Sequence, residues 1–197
     1  MPNRVRLLFT GFVLAALTIV ARPASADGVG VGAKIGPLFP SVSSDNITSF
    51  KNRTGWMGGI WFGGNRSGDV GLQGEVMYAK KNLPDQLGRD LDLYYLEIPV
   101  MLRLNFGSSN RERVAGYIIA GPAFDVNLKS ELQGIEIKDL YEDLDIGVIG
   151  GAGVEITRFL IEARYNWGLR NVINGNLATT TEIKTRTFAI LFGVRFN

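Results

Sequence analysis

The decapeptide Thr187-Phe188-Ala189-Ile190-Leu191-Phe192-Gly193-Val194-Arg195-Phe196 decides the fold class of this chain. Phe188, Ile190, Phe192, Val194 and Phe196 fall on one face of an extended segment, and the residues between them are mostly small or polar. Strict alternation of this kind is typical of a β-strand with one apolar face. The final segment is therefore predicted to be a two-faced strand.

The same alternation recurs upstream, between breaks that are rich in Gly, Asn, Asp and Ser, and no stretch after residue 27 repeats apolar residues at helical spacing. An all-β fold is predicted, with eight strands near residues 28–38, 54–63, 70–80, 91–106, 114–129, 144–157, 159–167 and 184–196.

Periodicity alone fits both a soluble barrel with an apolar interior and a membrane barrel with an apolar exterior. Three features favour the membrane barrel: segments of about ten residues, aromatic residues near segment ends, and long polar connections that alternate with short ones. The long connections, 40–53, 81–90, 130–143 and 168–183, are predicted to be extracellular loops. The aromatic residues assigned to an interfacial girdle are Trp56, Trp61, Tyr78, Tyr94, Phe106, Phe159, Trp167 and Phe196. We thus predict an eight-stranded antiparallel up-and-down transmembrane β-barrel.

The N-terminal segment 1–26 has the pattern of a secretory signal peptide. A basic start is followed by the apolar run 7–20, which is too short to span a bilayer, and by Ala24-Ser25-Ala26, a small-residue cleavage site. Cleavage before Asp27 is expected, so the barrel domain comprises residues 27–197.

Charge and composition narrow the function classes. The signal segment holds 3 of the 21 basic residues (Arg4, Arg6, Arg22) and no acid, so the mature chain has 18 basic and 19 acidic residues and no feature of a nucleic-acid partner. The chain contains no Cys and no His. The absence of Cys excludes thiolate chemistry and disulfides, and the absence of His excludes histidine bases and the usual neutral metal ligand. We predict no catalytic residue, metal ligand or cofactor.

If the apolar faces meet lipid, a set of charged side chains must point into the barrel: Lys34, Glu75, Glu97, Arg103, Asp125, Glu155, Glu162, Arg164 and Arg195. The interior of an eight-stranded barrel is just wide enough for side chains, so these charges need partners. We predict a lumen charge network built on Glu75, Glu97, Arg103, Glu155, Glu162, Arg164 and Arg195. A proton path, a cation site or a carboxylate pair for hydrolysis is the alternative, and the acidic segment 130–143 is a second candidate cation site, although it lacks the spacing of a calcium loop.

Several short motifs together resemble the PorT-like outer-membrane β-barrel family. They are Tyr95-Leu96-Glu97-Ile98-Pro99, the segments 72–78 and 120–122, Gly150-Gly151-Ala152-Gly153-Val154-Glu155, and the segment 164–171. The resemblance implies an eight-stranded barrel in the outer membrane of a Gram-negative cell, and a few members of that family are associated with protein secretion. The chain departs from outer-membrane barrels that end on an aromatic residue, because Phe196 is penultimate and Asn197 is last.

The sequence therefore predicts a monomeric integral outer-membrane protein, in contact with lipid and without catalytic activity. Its extracellular loops are expected to contact a protein partner or an envelope component, with a role as a secretion accessory as the specific form of this hypothesis. Two alternatives stay open: a narrow porin-like pore, and a soluble lipocalin-like barrel that binds an apolar ligand inside.

Overall fold

The structure, a computed structural model, describes residues 29–43, 54–84, 90–107, 113–132, 135–136, 144–169 and 184–197. Its strands are β1 Gly30–Ser43, β2 Gly55–Gly63, β3 Val70–Pro84, β4 Asp90–Phe106, β5 Val114–Leu132, β6 Ile135–Glu136, β7 Leu144–Ile156, β8 Phe159–Gly168 and β9 Lys184–Arg195. In this part of the chain, no helix has the length and apolar character needed to cross a membrane.

Eight of these strands close into a ring in which every neighbouring pair is antiparallel. The order around the ring is β4-β3-β2-β1-β9-β8-β7-β5, and pairing between β4 and β5 closes it. The first and last strands meet along β1 and β9, where Phe39 lies opposite Phe188. The two-residue strand β6 lies outside this ring and pairs with the C-terminal end of β5. The predicted eight-stranded antiparallel barrel is confirmed.

Side chains alternate between a lumen face and an outer face along every barrel strand, as the pleat requires. On β3, Gln73, Glu75 and Met77 are buried, whereas Leu72 is 67% exposed and Val76 is also exposed. The outer face is apolar on all eight strands. This arrangement is the reverse of a soluble barrel, so the soluble lipocalin-like alternative is wrong: its apolar residues would have to point inward.

Aromatic residues mark the height of the lipid-facing band. At one end Trp56 packs against Tyr78, which packs against Tyr94, with ring centroids 5.6 and 6.3 Å apart. Phe106 is exposed at the other end of β4. The twelve residue steps from Tyr94 to Phe106, at about 3.3 Å each and a tilt of about 40°, span about 30 Å along the barrel axis. That height matches the hydrocarbon core of a bilayer.

The strands on one side of the barrel continue beyond the aromatic band, and this corrects the predicted loops. β3 runs to Pro84 and β4 begins at Asp90, so only five residues separate them, and β5 runs to Leu132. Cross-strand pairing persists there, with Leu83 opposite Leu91 and Leu91 opposite Leu132. The predicted loops 81–90 and 130–143 are thus partly strand, as are the first residues of loops 40–53 and 168–183. Polar residues indicate that a segment lies above the bilayer, but two strands can stay hydrogen-bonded there, so a polar composition does not by itself predict a loop.

Trp61 is a second correction, because its ring lies inside the barrel and not in an interfacial girdle. Its exposure is 0%. Gly30 and Gly32 on the neighbouring strand make room for the ring: a Cβ atom would lie 2.7 Å from the Trp61 ring at Gly30 and 2.6 Å from its Nε1 at Gly32. The ring also faces two cations, Lys34 Nζ at 5.8 Å and the Arg195 guanidinium at 5.1 Å from its centroid.

Candidate functional site

The lumen is the candidate site, since it concentrates charged residues that strand alternation turns away from lipid. Six buried cations face six buried anions among the described residues. They are Lys34, Arg66, Lys81, Arg103, Arg164 and Arg195, with Glu75, Glu97, Asp125, Asp145, Glu155 and Glu162. All are at most 8% exposed. Isolated charges at this depth cost several kcal/mol each, so the network depends on close pairing.

The first tier lies at the end of the barrel that carries the termini and the short turns, which is the periplasmic end in outer-membrane barrels. Three guanidinium groups surround the carboxylate of Glu155. Arg103 Nη2 lies 2.9 Å from Oε2, Arg66 Nη1 lies 3.4 Å from Oε1, and Arg195 Nε donates a hydrogen bond to Oε1. Arg103 also stacks on the Tyr117 ring, 3.7 Å from its centroid.

Arg66 links two turns across this end of the barrel. It belongs to the turn between β2 and β3, and its Nη1 donates a 2.6 Å hydrogen bond to the carbonyl oxygen of Thr157 in the two-residue turn between β7 and β8. Thr157 has φ +56°, which is uncommon for a β-branched residue. Asn105 holds the first turn by donating through Nδ2 to the carbonyl oxygens of Asn65 and Gly68. The Arg66 side chain therefore spans the periplasmic end of the lumen.

The second tier is a chain of four ion pairs at the middle of the barrel. Lys34 Nζ lies 2.7 Å from both Glu75 Oε1 and Glu162 Oε2. Arg164 lies 2.7 Å from Glu75 Oε2 and 2.8 Å from Glu97 Oε1. These residues come from four different walls of the barrel: β1, β3, β4 and β8. The pairs therefore cross-link the lumen from side to side.

Uncharged polar groups complete the second tier. Gln73 Nε2 donates to Glu75 Oε1 at 2.8 Å, Tyr117 Oη donates to Glu162 Oε2 at 2.9 Å, and Asn166 Nδ2 donates to Glu97 Oε2 at 3.2 Å. Each of these carboxylates thus accepts hydrogen bonds from at least two donors, which offsets part of the cost of burying it.

The third tier lies toward the opposite mouth and has two unlike walls. On one wall, Glu97, Asp125 and Asp145 occupy directly opposed positions on β4, β5 and β7. Lys81 Nζ pairs with Asp125 Oδ2 at 3.1 Å and lies 4.6 Å from the Tyr95 ring centroid. The other wall is apolar and comprises the buried cluster Leu38, Met57, Met77, Ala79, Leu91, Leu93, Tyr95, Ala189 and Leu191. These apolar side chains are 0–8% exposed, so this tier is shielded from solvent as well.

The chemistry available to this site is limited by its pairing. Acid–base catalysis by two carboxylates needs one of them to be held protonated, but Glu75, Glu155 and Glu162 each contact two or more cations within 4 Å. The described residues contain no group of three or more Asp or Glu side chains placed to hold a metal ion. The arrangement is suited to filling and bracing the barrel.

The structure places the predicted residues as follows. Glu75, Glu97, Arg103, Glu155, Glu162, Arg164 and Arg195 all lie in the lumen, together with Lys34 and Asp125. The final-strand residues Phe188, Ile190, Phe192, Val194 and Phe196 alternate with the lumen residues Ala189, Leu191 and Arg195 and lie on the outer face. The predicted cleavage site, Ala24, Ala26 and Asp27, lies outside the described residues, as does most of the acidic segment 130–143.

Three buried charges were not predicted. Lys81 was assigned to a loop, although it shares the parity of Glu75 and Met77 once β3 is extended. Asp145 shares the parity of Ile149 and Glu155 on β7, so alternation could have identified it. Arg66 lies in a turn, where alternation carries no information.

Comparisons with known proteins agree with this architecture. The family model described as "Outer membrane protein beta-barrel domain" matches residues 22–174. Neisserial surface protein A is similar in structure, with a TM-score of 0.55 and 18% identity over 86% of this chain and 99% of that one. Ail, the attachment invasion locus protein of Yersinia pestis, in complex with the heparin analogue sucrose octasulfate, has a TM-score of 0.50 and 19% identity over 85% and 99%. No curated protein matches the sequence.

Proposed function

We propose that this chain, which belongs to the outer membrane protein beta-barrel domain family, is a non-enzymatic, monomeric barrel that displays its extracellular loops to a partner or an envelope component. The protein is located in the cell outer membrane. A rigid scaffold that presents variable loops is a common arrangement for binding proteins. The proposal assigns the barrel to anchoring and the loops to recognition.

One observation carries the proposal: buried side chains occupy the lumen in three tiers, with ion pairs in every tier and an apolar cluster beside the third. Arg66, Arg103 and Arg195 meet Glu155 at one end, and Lys34 and Arg164 cross-link Glu75, Glu97 and Glu162 at the centre. Barrels of 16–18 strands leave an aqueous channel, whereas the interior of an eight-stranded barrel is just wide enough for side chains to fill. The same pairing supports the absence of catalysis, because Glu75, Glu155 and Glu162 each contact two or more cations within 4 Å.

Conductance measurements test the proposal against the narrow-pore alternative. Purified protein in planar lipid bilayers is expected to give no current steps above the leak of the bilayer alone. A 16-stranded porin, reconstituted in parallel, serves as the positive control. Steady current steps from this chain would support the pore and refute the filled barrel.

The recognition role is tested with the loop segments. Variants in which residues 44–53 or 172–182 are replaced by Gly-Ser linkers of equal length should stay folded but lose binding to intact-cell or matrix ligands. A sulfated saccharide is a suitable first probe, because Ail was crystallised with a heparin analogue. If both variants bind every ligand as the unmodified chain does, recognition by these loops is refuted.

The finer assignments rest on the sequence. The PorT-like affiliation and the role as a secretion accessory rest on the motif resemblance, and a deletion strain with an unchanged set of secreted proteins would refute the latter. Signal cleavage before Asp27 rests on the Ala24-Ser25-Ala26 pattern. The mature protein should then begin at Asp27 by intact mass.

A further inference from the structure

The outer face of β3, β4 and β5 changes from apolar to charged at the upper edge of the aromatic band, the edge nearest Pro84 and Asp90. Tyr78 and Leu96 form the last apolar row. Lys80 lies one row higher on β3, directly opposite Tyr94, and Tyr94 lies opposite Lys129 of β5. Two lysines thus flank one tyrosine at the upper edge of the lipid-facing surface.

A β-bulge in β5 places the second lysine there. Below the bulge Asn127 is buried and pairs with Tyr95, while Tyr94 pairs with Lys129, so Leu128 is the extra residue. Without this insertion, Lys129 would continue the alternation of Asp125 and Asn127 and point into the lumen. Bulges commonly re-aim a side chain at functional positions.

The geometry of the lysine row suits a phosphate-bearing partner. Strands are about 4.8 Å apart, so Lys80 and Lys129 project from backbones about 10 Å apart on either side of Tyr94. Lys80 Nζ lies 5.3 Å from the Tyr94 ring centroid and 2.8 Å from Asp92 Oδ2, and Lys129 Nζ lies 2.6 Å from Glu131 Oε1. An ammonium group has three N–H donors, so an ion pair with a carboxylate is compatible with an additional anionic partner.

The carboxylates lie one row above the lysines, away from the bilayer. Asp92 is opposite Glu131 on the neighbouring strand. The hydrogen bond to Asp92 raises the pKa of the Lys80 ammonium above its ordinary value, so Lys80 stays protonated at neutral pH. From the bilayer outward, the surface is therefore apolar, then aromatic and basic, then acidic.

We propose that Lys80 and Lys129, flanking Tyr94, bind the phosphate group of an anionic lipid in the outer leaflet. The position selects this partner: the lysine row is immediately above an apolar surface about 30 Å tall, which is the height at which lipid headgroups begin. The acidic row above it disfavours approach of the same headgroup from the aqueous side. The binding surface occupies only the β3–β5 wall, so it holds lipid on one side of the barrel.

Native mass spectrometry of the detergent-solubilised protein tests this, with dioctanoyl phosphatidic acid as the probe and dioctanoyl phosphatidylcholine as the zwitterionic comparison. The unmodified chain should bind phosphatidic acid more tightly than phosphatidylcholine. One lysine near a charged membrane surface contributes a factor of roughly five in affinity, so K80Q and K129Q should each weaken binding about fivefold and the double variant about 30-fold. K80R/K129R should retain the preference.

Arg186 provides the matched control. It is an exposed cation opposite Trp167, on the β9 wall that faces β3–β5 across the barrel, and R186Q should bind like the unmodified chain. The proposal is overturned if the unmodified chain shows no preference for phosphatidic acid, if R186Q loses as much affinity as the double variant, or if K80Q/K129Q, folded by its heat-dependent gel mobility, binds unchanged. Displacement of the lipid by equimolar inorganic phosphate would identify a free-anion site and likewise overturn it.

Discussion

Neutralising Glu155 tests whether the lumen excludes water. Glu155→Gln keeps the size of the side chain and an acceptor oxygen, but it leaves Arg66, Arg103 and Arg195 around an uncharged amide. The Arg103 side chain is 0% exposed and the Arg195 side chain 5% exposed, so neither can recover its hydration without a rearrangement. Removing one partner of a buried pair costs about 3–5 kcal/mol, and we expect the free energy of unfolding to fall by that amount.

The assay is urea unfolding of the protein in lipid vesicles, followed by tryptophan fluorescence. The control is Asp92→Asn, which breaks the ion pair with Lys80 at a site where both side chains are about 30% exposed. Exposed pairs contribute about 0–1 kcal/mol, so this variant should unfold close to the unmodified chain. If Glu155→Gln also lost less than about 1 kcal/mol, the Glu155 cluster would be hydrated, and the filled-lumen argument would fail.

Three further predictions concern the lipid face, the lumen aromatic and the upper rim. Phe192→Arg, at the middle of the lipid-facing surface of β9, should cost about 2–4 kcal/mol in the same unfolding assay, whereas Phe196→Arg at its edge should cost about 0–1 kcal/mol. A variant whose only tryptophan is Trp61 should resist quenching by lipids brominated on their acyl chains, and strong quenching would show that its ring faces lipid. The hydrogen bond from Lys129 lowers the pKa of the Glu131 carboxyl, so its stabilisation is present above the ordinary carboxyl pKa and is lost as pH falls through the lowered value. A carboxyl titration by NMR should show that pKa rise in K129Q, and an unchanged value would refute the pairing.

The barrel could be predicted from the sequence because a membrane barrel imposes one rule on every strand. An outward charge near the bilayer centre is costly, so the lipid-facing Leu72, Val76 and Tyr78 alternate with Gln73, Glu75 and Met77. The same rule assigned Arg103 and Arg164 to the lumen, because the opposite parity would expose a guanidinium to hydrocarbon. Alternation therefore predicts both the barrel fold and which charged side chains face the lumen.

Features that depend on packing could not be predicted in this way. Trp61 has the composition of an interfacial residue, and only the proximity of Gly30 and Gly32 shows that the lumen can hold it. Lys81 looked like a loop residue because strand pairing above the bilayer has no compositional signal. The bulge at Leu128 changes the parity of β5 for Lys129, which only the register with Tyr94 reveals.

The three tiers of ion pairs make closure of the lumen redundant, and this leads to a prediction about opening it. Arg66→Ala would remove the link between the periplasmic turns, but the central pair Lys34–Glu75 and the outer pair Lys81–Asp125 would still block the lumen. The substitution should therefore destabilise the periplasmic end without producing conductance in planar bilayers. If Arg66 acted as a gate, the variant would conduct and the unmodified chain would not. Current steps in Arg66→Ala alone would therefore show that the barrel is gated and not filled.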